Sequence, residues 1–265
     1  MYRKIIIGYQ DTEQGRDALG LGQTLAQACG AEMLVATVPT EGGKDLAELA
    51  RSEEADLLVL GSTHRGSVGR VLPGAMAYRL LGEAPCAVAV APPGFGTPSD
   101  GNTGWRPLSG DAEDVGMRVI GVGYDGSPAA QQALNVAAEL AVGNGAALRV
   151  YAVALNDADV PIGALSGRQT TTSSEQVKLR GALHQTVASL PAEARALPVF
   201  LRGFPAAELL DAAECGVDLL VLGSETGGPI RRAFLGSVSS TVMEKVNCPV
   251  LISPSGVRAP QPALA

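Results

Sequence analysis

The chain repeats itself, and the register of the repeat changes only once. Ala55-Asp56-Leu57-Leu58-Val59-Leu60-Gly61-Ser62 returns as Val217-Asp218-Leu219-Leu220-Val221-Leu222-Gly223-Ser224, and Ile6-Ile7-Gly8-Tyr9 as Gly121-Val122-Gly123-Tyr124. Gly8 to Gly123, Ala18 to Ala133 and Gly30 to Gly145 are each 115 residues apart, whereas Asp56 to Asp218, Gly61 to Gly223 and Cys86 to Cys248 are each 162 apart. The copies therefore align without a gap except for one jump of 162 − 115 = 47 residues, falling between Pro39 and about Lys44 of the first copy. A length of 265 residues admits one large domain or two small ones, and the repeat decides for two. We expect a truncated repeat over 1–92, a Gly- and Pro-rich linker over 93–116 that holds the only tryptophan, Trp105, a full repeat over 117–255 and a tail over 256–265.

Within each copy, short apolar runs such as Ile5-Ile6-Ile7 and Leu57-Leu58-Val59-Leu60 alternate with helix-length amphipathic stretches. Runs of that length suit strands buried on both faces, and strand–helix alternation implies a parallel α/β sheet with right-handed crossovers. The second copy reads as strands at about 118–123, 147–153, 197–201, 218–222 and 249–252, with helices at about 128–143, 174–189, 205–215 and 238–246. The fold class expected is α/β: two tandem doubly wound repeats of strand order 3-2-1-4-5. The first lacks its second helix and third strand, and the bare edge would need protection by charge or by another element.

Composition supports this reading. Hydrophobic residues are 46% and aromatics only 4%, with 33 glycines, so Ala, Val, Leu and Ile must build the core. The net charge is 20 − 27 = −7, which argues against nucleic-acid and anionic-membrane partners. No apolar run reaches the ~18–20 residues of a bilayer span. The start, MYRKIIIGYQ, enters a strand directly without the pattern of a secretory signal, so a cytoplasmic location is expected. Cys29, Cys86, Cys215 and Cys248 form no CxxC, and His64 and His184 are far apart, so no zinc site is expected and the thiols read as reduced.

In an open α/β sheet, ligands bind beyond the carboxyl ends of the strands where the strand order reverses. In the second copy that point follows strands 1 and 4. It holds Gly123-Tyr124-Asp125-Gly126-Ser127, Gly223-Ser224-Glu225-Thr226 and Gly236-Ser237-Val238-Ser239. Glycines let backbone approach phosphate oxygens, a helix N-terminus capped by Ser237 favours an anion, and a carboxylate at Asp125 accepts from ribose hydroxyls or a base amine. Each residue also has a plain structural use, Ser237 as a helix cap and Asp125 in an Asx turn. Together at one switch point they read better as ligand contacts.

These segments resemble the universal stress protein family. Its pattern after strand 4 is Gly, two residues, Gly, nine residues, Gly, then Ser or Thr; here Gly223 and Gly236 are 13 apart and Ser237 follows. One branch of that family binds ATP or related adenine nucleotides and another binds none. The resemblance implies that Asp125 and Val153 contact the nucleoside, and that Gly223, Ser224, Ser237, Val238 and Ser239 surround the phosphates, with Gly123, Tyr124, Thr226 and Gly236 in the same site and Mg as a companion of ATP. The chain departs from the pattern at Thr226, which stands where the second glycine belongs, and at Glu225, whose charge is near the phosphates and offset by Arg231 and Arg232. In the first copy, Gln10, His64, Ala75 and Ala77 replace Asp125, Thr226, Ser237 and Ser239. Family dimers pair through the last strand, so Ala87–Val90 and Pro249–Ile252 should lie side by side within this chain, with homodimerisation as a further option.

Other motifs fall away. Gly121 to Gly126 spells GxGxxG, but the next strand brings no acid before Asp157, so a nicotinamide enzyme is not expected. There is no GxxxxGK[ST], since Pro229 stands at the lysine position, and no GxSxG or HExxH. The expected function is therefore an adenine-nucleotide-binding stress-regulatory protein rather than an efficient enzyme, slow ATP hydrolysis aside. The alternative is a scaffold of the same fold that binds no nucleotide.

Overall fold

A computed structural model describes residues 1–37, 43–62, 75–96, 116–155, 173–226, 233–234 and 236–255, with backbone alone at 43–45, 75–76, 173, 226 and 233–234. The first half runs β1 (Lys4–Tyr9), α1 (Glu13–Cys29), β2 (Glu32–Thr37), α2 (Gly43–Ser52), β3 (Leu57–Gly61), α3 (Ala75–Glu83) and β4 (Ala87–Ala91). The second runs β5 (Val119–Gly123), α4 (Pro128–Asn144), β6 (Ala147–Ala154), α5 (Ser173–Ala188), a 3-10 turn at Ala192–Ala194, β7 (Leu197–Arg202), α6 (Pro205–Glu214), β8 (Leu219–Thr226), β9 (Ala233–Phe234), α7 (Ser237–Lys245) and β10 (Val250–Pro254).

All the strands but β9 form one path, β2-β1-β3-β4-β10-β8-β5-β6-β7. The second half is thus ordered 3-2-1-4-5, and the first is the same sheet without its third strand. Neighbours are parallel within each half. The halves meet antiparallel at β4 and β10, with Val250 opposite Val90, Leu251 opposite Ala89 and Ile252 opposite Val88, as the resemblance implied. Among the described residues, α5, the 3-10 turn, β7 and β9 have no first-half counterpart.

The repeat is visible in local chemistry. Thr12 caps α1 by accepting the Gly15 N–H at 3.2 Å, and Ser127 caps α4 by accepting the Ala130 N–H at 3.1 Å. Both helices end on a left-handed glycine, Gly30 at φ 62° and Gly145 at φ 63°, a conformation that side chains resist. Asp56 and Asp218 use one carboxylate oxygen to accept two N–H groups each at the start of β1 and β5, at 2.7–3.1 Å. The sequence marked both aspartates only as repeated letters; their work is to pin the central strands.

Helices α1, α4 and α5 pack on one face of the sheet and α2, α3, α6 and α7 on the other. Alanines let α4 lie close to the strands, with Ala133, Ala137 and Ala141 all fully buried. The missing α5 counterpart leaves a mark on β2. Leu148 and Val150 of β6 are 0% exposed, whereas Met33 and Val35, 115 positions earlier, are 37% and 42% exposed. Beside that bare edge, Lys4 Nζ lies 4.0 Å from Glu32 and 2.9 Å from Glu53.

Two expectations are corrected. The start of the expected linker is a docked turn: the buried Asp17 carboxylate accepts the Gly94 and Gly96 N–H groups at 3.1 and 3.0 Å, and Phe95 packs on the core beside α1. Strand β8 runs on to Thr226 and carries the small antiparallel partner β9, which the apolar pattern did not signal. Trp105, His64, Gly227, Gly228, Pro229, Arg231, Arg232 and residues 256–265 lie outside the described residues.

Candidate functional site

The order of the second half reverses at β5, which has β6 on one side and β8 on the other. Beyond the end of β5, the Tyr124 N–H donates to the Tyr151 carbonyl at 2.8 Å, and the Tyr124 hydroxyl lies 3.1 Å from Thr186 Oγ1 of α5. The sequence had no means to single out Thr186, because α5 has no partner in the first repeat. Asp125 is exposed, and its Oδ1 accepts the Ser127 N–H at 2.9 Å, closing an Asx turn over Gly126 at φ 83°. One oxygen is thus committed to the turn, while a carboxylate has about four acceptor positions. On β6, Val153 is half-buried on the α6 face.

At the end of β8 the site residues separate into two kinds. Gly223 is there for packing, because a Cβ would come within 2.5 Å of the Ala129 backbone where α4 begins. Gly61 stands in the same relation to Gln14 of α1, so this glycine belongs to the fold of both halves. Gly123 is a looser case, since a Cβ there would meet Leu222 Cδ2 at 2.9 Å. Gly236 differs from all of these: among the described residues a Cβ would meet nothing within 4 Å, and the residue is exposed.

Ser237 was expected to cap α7. The N-cap is instead Gly236, at φ −62° and ψ 163°, and the helix has no side-chain cap. Ser237 is the first helical residue, exposed, so its hydroxyl projects from the first turn without closing it. Val238 is half-buried against the α6 face of the core. Ser239 is 7% exposed, and its hydroxyl donates to the Gly223 carbonyl at 3.2 Å, tying α7 to β8. A hydroxyl has one proton to give, so Ser239 serves this link first.

Ser224 is 2% exposed, and its Oγ has no hydrogen-bond partner among the described residues. An unsatisfied buried hydroxyl costs about 1–3 kcal/mol. Ser62, the matching residue of the first half, is in the same condition. Glu225 is exposed, and Glu225 and Thr226 pair with Phe234 and Ala233 of β9. The structure therefore gathers Gly223, Ser224, Ser239 and the open first turn of α7 at the end of β8, with Asp125 at the end of the neighbouring strand β5.

Comparison with known proteins agrees with this architecture. The model of the universal stress protein family matches residues 35–92 and 116–254. A universal stress protein of Mycolicibacterium smegmatis is 30% identical over 252 residues, covering 91% of this chain and 76% of that one. One from Mycobacterium tuberculosis is 29% identical over 208 residues, covering 76% of this chain but only 63% of the relative, so the chain spans less than two thirds of that protein. A universal stress protein structure from Archaeoglobus fulgidus superposes with a TM-score of 0.62 at 17% identity, over 96% of this chain and 98% of that one. A functionally unknown protein from Pseudomonas aeruginosa does so at 0.66 and 15%, over 96% and 93%. At these identities the two structures speak to the fold.

Proposed function

The chain belongs to the universal stress protein family, and from that premise we propose that its second half binds one adenine nucleotide at the switch point between β5 and β8, as a regulatory ligand. The observation that carries the reading is the buried, unpartnered hydroxyl of Ser224 beside a helix N-terminus that no side chain caps. Free N–H groups and the helix dipole favour an anion there. Gly236 supports close approach, because among the described residues no packing demand explains a glycine at that position. Ser224, Gly236 and Ser237 would hold the phosphates, and Asp125 and Val153 the nucleoside. Gly223 and Ser239 would shape the site through their packing and their mutual hydrogen bond. Among the described residues, no group of three His, Cys, Asp or Glu side chains stands ready to hold a metal ion. No described helix is long and apolar enough to cross a membrane.

Ser62 shares the orphan hydroxyl, so that feature alone does not favour one half. The asymmetry comes from Gln10 in place of Asp125 and from the buried Ala77 in place of Ser239. A hydroxyl bonded to a phosphate contributes about 1.5–3 kcal/mol. Ser237→Ala should therefore weaken ATP binding by at least about tenfold in calorimetry, while Gln10→Ala in the first half leaves it unchanged. The scaffold reading has one observation of its own, the exposed carboxylate of Glu225 at the end of β8. It prevails if ATP, ADP and AMP all fail to bind.

A further inference from the structure

The 47 residues present only in the second half supply α5 and β7. Between these two elements lies a groove of about 370 Å³ lined by Arg180, His184, Pro198, Phe200 and Arg202. Two periodicities build it. Arg180 and His184 are one helical turn apart on α5, and Pro198, Phe200 and Arg202 alternate along one face of β7. Arg180, His184 and Arg202 are exposed, whereas Phe200 is half-buried against the core that α5 covers. Among the described residues, no carboxylate forms an ion pair with any of the three basic side chains. Glu208 and Asp211 line a separate groove with Val199, Leu201 and Arg149, and the carboxylates nearest in sequence on the α5 side, Glu175 in the first turn of α5 and Glu193 in the turn before β7, are not among the residues that line this one. In a chain of net charge −7, the α5 face of β7 is a local reversal of sign.

We infer that this groove is a second ligand site, for a small phosphate monoester. Two guanidinium groups offer planar forks that match phosphate oxygens, and the His184 imidazole adds an N–H. Pro198 and Phe200 form an apolar floor for the organic part of the ligand. The volume sits at the low end of small-molecule sites, about 300–1,000 Å³, which suits one ring with one phosphate. The site is distinct from the switch point, since β6 separates β7 from β5. The first half lacks both elements that form it.

The chain has two histidines, so its imidazole C–H spectrum is simple to read, and His184→Asn assigns the His184 signal. Phenyl phosphate and inorganic phosphate are titrated into the intact protein at pH 7 and constant ionic strength, with chloride as the control. Phenyl phosphate should move the His184 signal saturably and bind at least about threefold more tightly than inorganic phosphate. The Arg180→Ala/Arg202→Ala double variant, with an unchanged urea midpoint, should weaken it at least about tenfold. Ser237→Ala should leave it unchanged, which separates this site from the nucleotide reading. A His184 signal that responds to phenyl phosphate no more than to chloride, or a response retained in the double variant, would overturn the site. Equal affinity for the two phosphates would overturn its assignment to a monoester.

Discussion

Cys86 and Cys248 occupy matched places in the two halves, and both are buried free thiols, as is Cys29; Cys215 alone is exposed. Burial pushes the Cys86 and Cys248 thiols up from 9.0 to about 12, and Cys29 to about 11. A thiol whose folded pKa is raised stays protonated in the fold after the unfolded chain has ionised. Its contribution is intact below about pH 9 and is lost as pH rises toward 11–12. Each such group lowers stability as the pH rises through that window. Urea unfolding should show stability level from pH 7 to 8.5 and falling from about pH 9, with a clearly shallower fall in Cys86→Ala/Cys248→Ala. Stability that holds level to pH 11 would contradict this account. At this scale the sequence was legible where residue type alone sets the role, as for the free thiols and the Asx turn of Asp125. It was not legible for Gly223, whose need is created by the start of α4, nor for Ser239, whose proton goes to a carbonyl 16 residues earlier.

Among the elements, α4, α5, α6 and β7 fell within a residue or two of their expected bounds, because apolar runs and helical spacing mark them. Strand β9 escaped, since two residues carry no periodicity, and so did the turn at 93–96, whose order comes from a buried aspartate on α1. The unmatched α5 explains why equal positions in the two halves differ in worth. Leu148→Ala removes a fully buried side chain and should cost about 2–5 kcal/mol. Met33→Ala, at the same place in the first half but 37% exposed, should change stability by no more than about 0.5 kcal/mol. Urea unfolding of the two variants makes the comparison, and equal losses would contradict it.

For the whole molecule, the antiparallel seam between β4 and β10 does within one chain what would otherwise require a second copy. Every residue of both strands is buried, so neither remains as an apolar edge open to aggregation. This was readable in the sequence only through the family resemblance, because no local pattern specifies which strands meet across 160 residues. The repeat itself was readable from spacing alone, and so was the truncation of its first copy. What the two halves no longer share is the polar equipment at their switch points, and the central claim is that this leaves a single nucleotide site. Calorimetric titration of the intact chain with ATP tests it directly. The account predicts one ATP bound per chain, with binding abolished in Asp125→Ala/Ser237→Ala. Two equivalent sites per chain, or one site indifferent to that double substitution, would contradict it.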